Sequence, residues 1–370
     1  MNQWRLRPES AWCWGSDAMP EGSPLIVLVG GYLGAGKTTL LLHASARLRD
    51  SGVRVAVITN DQGGALVDTW LATEAGVRTE EITGGCFCCR LSELVSAADR
   101  LRNFDPNVIF AEPVGSCIDI SATVLQPIKR FYQDRYRLAP FTVLVDPQRA
   151  REMLAPDADP HLAYLFRNQI AEADLVCFSK ADVNSEYPDL PSGFALRLSA
   201  KTGEGVAEWL AEVLAGTRVA GGRLLEVNYE TYAQAEASLG WLNWQAELVL
   251  GEALSPAEIV GPLLDDLDQR LTRAGVSIAH LKVLDHASTG YIRASLCRNG
   301  DEPAVDGMLT ASPAARHEIR LNLRAPAAPE QLLDLTQKAA GLLPGRLTIA
   351  HVESFRPSPP KPERRIATME

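Results

Sequence analysis

At 370 residues, 46% of them hydrophobic and 22% charged, the chain is long enough for two folded units with cores of their own and too apolar to be disordered or fibrous. A formal net charge of −10 argues against broad attraction to nucleic acid or to an anionic membrane surface. No apolar run reaches the roughly 18 residues of a membrane span, and the N-terminal stretch has no continuous apolar core of a secretory signal, so the chain reads as cytoplasmic.

Residues 1–23 scatter Trp4, Trp12, Cys13 and Trp14 among Gly, Pro and charged residues with no helical or strand period, and read as an N-terminal extension. From residue 24 the pattern turns regular. Apolar runs at 25–29, 53–59, 108–111, 141–145, 175–178 and 195–198 alternate with helical segments such as 37–50, 91–103, 160–172 and 206–214. Strands apolar on both faces and separated by helices predict an α/β unit with a mainly parallel sheet covered on both sides, spanning 24–220. The small-residue stretch 216–222 marks the boundary. Beyond it, strands at 239–250, 280–285, 290–296, 318–324 and 347–352 with helices at 256–274 and 329–342 predict a smaller α+β unit over 221–355. Its antiparallel sheet is of split β-α-β kind with one strand to spare. The tail 356–370, with four prolines, reads as an extended surface segment.

The first strand runs into Gly31, Gly34, Ala35, Gly36, Lys37 and Thr38, which fill the pattern G-x-x-x-x-G-K-[ST] directly before a helix. This places backbone amides as far as Thr39 around an anion at a helix N-terminus. Lys37 reaches the β and γ phosphates, and the Thr38 hydroxyl is a ligand for Mg²⁺. After the second strand come Asn60 and Asp61, and after the strand at 108–111 come Glu112, Pro113, Val114 and Gly115. Carboxylates at these strand tips suit Mg²⁺ or the attacking water, and the Gly115 amide suits a γ phosphate. Lys37, Asp61 and Glu112 are the catalytic candidates, and Thr38, Asp61 and Glu112 the Mg²⁺ ligands. Ser179, Lys180 and Asp182 match the guanine-reading N-K-x-D pattern with Ser for Asn, and Ser199, Ala200 and Lys201 back the same pocket after the next strand. A carboxylate accepts from the two donors on that edge of guanine, where adenine offers no such pair, so Asp182 selects GTP or GDP.

Of seven cysteines, Cys86, Cys88 and Cys89 fall within four positions before a helix. Three thiols so close suit one soft ion such as Zn²⁺ or Co²⁺ with a site left open for transfer, and the helix N-terminus and Arg90 would favour thiolates. Cys13, Cys117, Cys177 and Cys297 read as buried or incidental. A permanent zinc staple and a redox pair are the alternatives.

The phosphate loop, the Gly84–Arg90 run with its three cysteines, the Glu112–Gly115 motif and the altered N-K-x-D together resemble the CobW-like metallochaperone GTPases, relatives of the GTPases that mature urease and nickel hydrogenase. The resemblance covers about 24–220. It implies a P-loop fold, slow GTP hydrolysis, a transition metal on Cys86, Cys88 and Cys89, and nucleotide-gated delivery to a client metalloprotein or a cobalamin-related pathway, with a homodimer possible. Two departures stand out: Ser179 where the family has Asn, and no His-rich tract. A P-loop ATPase or small-molecule kinase, and a non-enzymatic regulator that binds nucleotide and zinc, are the competing classes.

Overall fold

The computed structural model describes residues 23–63, 67–190 and 195–369. Residues Leu25–Gly31 form β1, which is buried along its whole length, because its side chains serve two cores at once. Ile26 and Leu28 join one cluster and Leu25, Val27 and Val29 the other, as expected of a strand covered on both faces. In chain order there follow α1 (Lys37–Asp50), β2 (Val55–Asn60), α2 (Val67–Glu74), β3 (Arg78–Ile82), α3 (Leu91–Arg102) and β4 (Val108–Glu112). A π-helical turn, Ser121–Leu125, leads into α4 (Gln126–Tyr132), then β5 (Arg137–Leu138), β6 (Thr142–Val145), α5 (Pro147–Leu154), α6 (Pro160–Glu172), β7 (Leu175–Phe178), β8 (Leu196–Arg197) and α7 (Val206–Leu214).

The strand order is β3-β2-β4-β1-β6-β7-β8, with β5 also on β1, and every pair is parallel. The carboxyl ends of β1, β2, β4 and β7 therefore open on one edge, which is where ligands bind in such sheets. Not among the elements expected from the sequence are α2, β3 and those between 113 and 137. These segments are short or carry charge, and they show no sustained apolar period.

After the first sheet, α8 (Tyr229–Ala237) packs on α6, and its Tyr232 and Ala235 enter the first core. The stretch 216–222 is held in place: the Asp174 carboxylate accepts from the Gly221 and Gly222 amides, both at 2.6 Å. Then come β9 (Gly240–Leu254), α9 (Pro256–Arg273), β10 (His280–Ala287), β11 (Gly290–Leu296), β12 (Ala304–Gly307), β13 (Ala314–Ala325), α10 (Pro329–Ala340) and β14 (Arg346–Phe355). The helix α9 starts on a capping box, the Ser255 hydroxyl and Glu258 carboxylate each satisfying the other's backbone amide. All six strands pair antiparallel in the order β12-β11-β10-β13-β9-β14. The run β14-β9-β13-β10 is the split β-α-β arrangement expected, and the spare strands form the hairpin extension β11-β12.

Strand alternation splits this sheet into two faces. Leu242, Trp244, Leu281, Val283, Ile319, Leu321 and Leu323 pack under α9 and α10. The intervening Trp241, Asn243, His280, Lys282, Asn322 and Arg324 lie on the opposite face, toward the open edge of the parallel sheet.

Gly31 has φ of 134°, and a Cβ there would run into the Leu144 carbonyl of β6. Gly31→Ala is expected to lower stability by more than about 1 kcal/mol, read as a lower urea midpoint; an unchanged midpoint would show that the strand can shift to make room.

Candidate functional site

Between β1 and α1 the chain turns through a loop whose last residue, Gly36, has φ of 91° and leads straight into the helix. Lys37, buried behind it, donates from Nζ to the Gly31 carbonyl at 2.9 Å and lies 3.9 Å from the Glu112 carboxylate at the tip of β4. The Thr38 hydroxyl donates to Glu112 Oε2 at 2.9 Å. Burial, with Asp68 next, pushes Glu112 up to about 7, while burial lowers Lys37 against the pull of Glu112. Gly115 lies against Lys37: a Cβ there would stand 3.1 Å from Nζ. These groups line a cavity of about 140 Å³ together with Gly34, Thr39, Asn60, Asp61, Asp68 and Lys180. That is smaller than the roughly 300–1,000 Å³ of a whole small-molecule site, and it suits a phosphate chain whose base lies outside.

On the base side, the Ser199 hydroxyl donates to Asp182 Oδ1 at 2.7 Å, so the two motif fragments do meet. Asp182 is exposed, whereas the Ser179 side chain is buried with its hydroxyl unpartnered. Lys180, at φ of 55°, donates to Asp146 Oδ2 at 2.8 Å and lines the phosphate cavity. The other Asp146 oxygen caps α5. Ala200 is buried behind this loop and Lys201 is exposed.

The second sheet closes the cavity. Arg324 of β13 donates to both Asp61 oxygens at 3.1 Å, and Lys282 of β10 pairs with Asp68 of α2. Asp61 also accepts from the Gln62 amide at 2.6 Å, the bond of a polar turn. The Cys297 thiol, which the sequence reading set aside, packs against the phosphate loop 3.6 Å from the Gly34 carbonyl. Asp68, Lys282 and Arg324 carry no local motif. Only the alternation in β10 and β13 hints at a polar row there.

The thiols form a separate cluster. Cys86 and Cys88 are buried with their sulfurs 2.6 Å apart, and the Cys89 sulfur, half-buried, is 3.5 Å from Cys86 and 3.6 Å from Cys88. Cys117, expected to be buried or incidental, instead joins them, since the sulfurs of Cys86, Cys88 and Cys117 lie within 4.8 Å of one another. All are free thiols. Arg90 does not act on them as expected, being engaged with Glu93 and the Gly84 carbonyl. Cys86 and Cys88 are raised, Cys117 being the first cause in each, and Cys89 is raised to about 11, chiefly by Cys86. Cys117 falls to about 6, because Cys86 and then Cys88 donate to it. The tail docks here too: the Lys361 amide donates to the Cys89 sulfur at 3.2 Å and the Glu363 amide to the Cys88 carbonyl at 3.1 Å.

Residues 25–195 match the family model "CobW/HypB/UreG, nucleotide-binding domain". Residues 25–195 are a nucleotide-binding domain of the CobW/HypB/UreG family. The domain's chain is 33% identical over 184 residues to the zinc chaperone YjiA of Escherichia coli, covering 48% of this chain and 55% of that one. It is 31% identical over 159 residues to the zinc chaperone YeiR of the same organism (42% and 46% covered), and 28% identical over 190 residues to the zinc chaperone CobW of Pseudomonas aeruginosa (42% and 48%). The chain spans about half the length of the curated relatives it matches. The resemblance drawn from the motifs is thus met in this CobW/HypB/UreG domain. Among the described residues no helix is long and apolar enough to cross a membrane.

Glu236 of α8 stands between the two sites, its Oε2 accepting from Ser116 Oγ at 3.0 Å and from Gln62 Nε2 at 3.2 Å. Burial raises it from 4.5 to about 7. A raised carboxyl contributes stability that is full below pH 4.5 and is lost as pH rises through 7. Glu236→Gln removes this loss, so the stability of the variant relative to wild type should rise by about 2 kcal/mol between pH 5 and pH 8. Equal differences in urea unfolding at the two pH values would reject the assignment.

Proposed function

We propose that the protein is a GTP-hydrolysing metallochaperone that carries a transition metal, Zn²⁺ or Co²⁺, on its cysteine cluster and delivers it to a client protein or cofactor pathway, with 24–220 and 221–355 as its two units. The observation that carries this reading is the path of one short loop. Glu112, Pro113, Val114 and Gly115 line the phosphate cavity, and Cys117, two residues further on, sits in the sulfur cluster. A second link runs through β2: Asp61 lines the cavity, while Asn60 Nδ2 donates to the Gly85 carbonyl at 2.7 Å, next to Cys86. A loop that tightens on a γ phosphate therefore pulls on a metal ligand.

In this reading Gly31, Gly34, Ala35, Gly36, Lys37, Thr38, Thr39 and Gly115 hold the phosphates. Ser179, Lys180, Asp182, Ser199, Ala200 and Lys201 hold guanine, and Lys37, Asp61 and Glu112 serve hydrolysis. The Thr38 hydroxyl and the Glu112 and Asp61 carboxylates are oxygen donors of the kind Mg²⁺ takes. Bound there, Mg²⁺ neutralises charge on the β and γ phosphates. Lys37 orients the phosphate chain, and Asp182 reads the base. The relatives' names, all zinc chaperones, favour zinc as cargo.

The fourth sulfur gives a second reading some footing, a non-enzymatic regulator with a permanent zinc staple. The two readings part on coupling. A chaperone has Zn²⁺ affinity that differs at least about fivefold between its GDP and GTP-analogue states, and Cys117→Ser weakens Zn²⁺ binding as much as Cys86→Ser while removing the difference. Equal Zn²⁺ affinity in both nucleotide states, measured by competition with a chromogenic chelator, would leave only the staple. Separately, Lys37→Ala should abolish GTP hydrolysis while circular dichroism and melting stay at wild-type values; undiminished turnover would mean that another loop does the chemistry.

A further inference from the structure

The phosphate cavity is more basic than the protein around it. Its walls carry Lys37, Lys180, Lys282, Arg293 and Arg324 against Asp61, Asp68 and Glu112, in a chain whose net charge is −10. Three of those five cations, Lys282, Arg293 and Arg324, come from the second sheet. They arrive there by strand alternation, on the face that turns away from α9 and α10.

Lys282 is the best placed. It is mostly buried, with 13% of its side chain exposed, and it pairs with Asp68, itself 18% exposed. Asp68 also interacts with the Thr38 hydroxyl, the group at the start of α1 that faces the phosphates. Lys282 is close enough to Lys37 and Glu112 to bear on the charge of both. A buried ammonium is costly to leave unpaired, and Asp68 is its partner here. A triphosphate held by Lys37 and Thr38 would bring a denser set of charged acceptors into the cavity that Lys282 lines.

We propose that Lys282 is a γ-phosphate contact supplied in cis by the second sheet, released from Asp68 when GTP binds. This rests on the reading of the cavity as a GTP site. During hydrolysis a water oxygen bonds to the γ phosphorus, the bond from that phosphorus to the β–γ bridging oxygen breaks, and its electron pair stays on GDP. The water proton leaves with phosphate or to solvent. Lys282 donates to the oxygens on which charge lies in the transition state, the part played elsewhere by an arginine supplied in cis. The second sheet thereby senses whether the third phosphate is present.

The test uses the full chain with Lys282→Ala, Lys282→Gln and Lys282→Arg. Affinities are measured for GDP and for a non-hydrolysable GTP analogue, alongside single-turnover GTP hydrolysis. The expected result is GDP affinity within about threefold of wild type, GTP-analogue affinity down about tenfold or more, and hydrolysis slower by on the order of 100-fold, with Lys282→Arg recovering part of both. An analogue-to-GDP affinity ratio equal to wild type in all three variants overturns the proposal. Should Lys282→Ala lose GDP binding through misfolding, the Gln and Arg variants carry the same ratio. If wild type prefers the analogue over GDP but turns nothing over, the hydrolysis reading falls, and a ratio shifted in the variants still supports Lys282. If wild type binds neither nucleotide, both fall.

Discussion

The six residues from Glu112 to Cys117 tie together everything else in the molecule. One end, at the tip of β4, meets Lys37 and Thr38, and the other supplies a sulfur to the cluster of Cys86 and Cys88. The run is not free to flex on its own. Gln169 of α6 donates to the Gly115 and Cys117 carbonyls, both at 3.0 Å, Ser116 is tied to Glu236, and the Ile118 amide donates to the Tyr232 hydroxyl at 3.2 Å. In the proposed reading a change at the phosphate end passes to the thiol end through these bonds, since packed interiors respond by discrete rearrangement more readily than by continuous deformation.

The second sheet adds an electrostatic constraint. Three carboxylates at the strand tips and on α2 would repel one another in a small cavity, and burial disfavours the charged forms of Glu112 and Asp68. Cations answer each: Lys37 for Glu112, Arg324 for Asp61 and Lys282 for Asp68. Glu112 still rises to about 7, which shows how incompletely the single lysine offsets burial together with the nearby Asp68. The interface between the sheets and the phosphate site are therefore one electrostatic unit, and a ligand that changes the charge of the cavity changes the forces holding the sheets together.

Much of this was legible along the chain. The phosphate loop, the strand-tip carboxylates and the split β-α-β order each follow from local patterns: glycines before a helix, an acid after an apolar run, alternation at a period of two. What escaped the sequence reading depends on distance through space. Cys117 has no cysteine or histidine close by in sequence and becomes a fourth sulfur only because β2 brings β4 near β3, the strand whose following loop carries Cys86 and Cys88. Asp68 sits on a helix of eight residues whose apolar pattern is too brief to announce itself. Lys282 and Arg324 look like ordinary solvated strand positions until the parallel sheet is packed against them.

The sulfur cluster shows why counting ligands does not decide its role. Cys86, Cys88 and Cys117 are buried, whereas Cys89 stands half-exposed at the mouth, beside the docked tail. Cys86 and Cys88 donate to Cys117, so the cluster concentrates its acidity in one thiol at about 6 while the other three are held above the ordinary thiol value. A metal binding there would displace these protons, so its affinity for the cluster would fall as pH falls. The loop that carries the most acidic of these thiols is the one that begins beside Lys37 and Thr38.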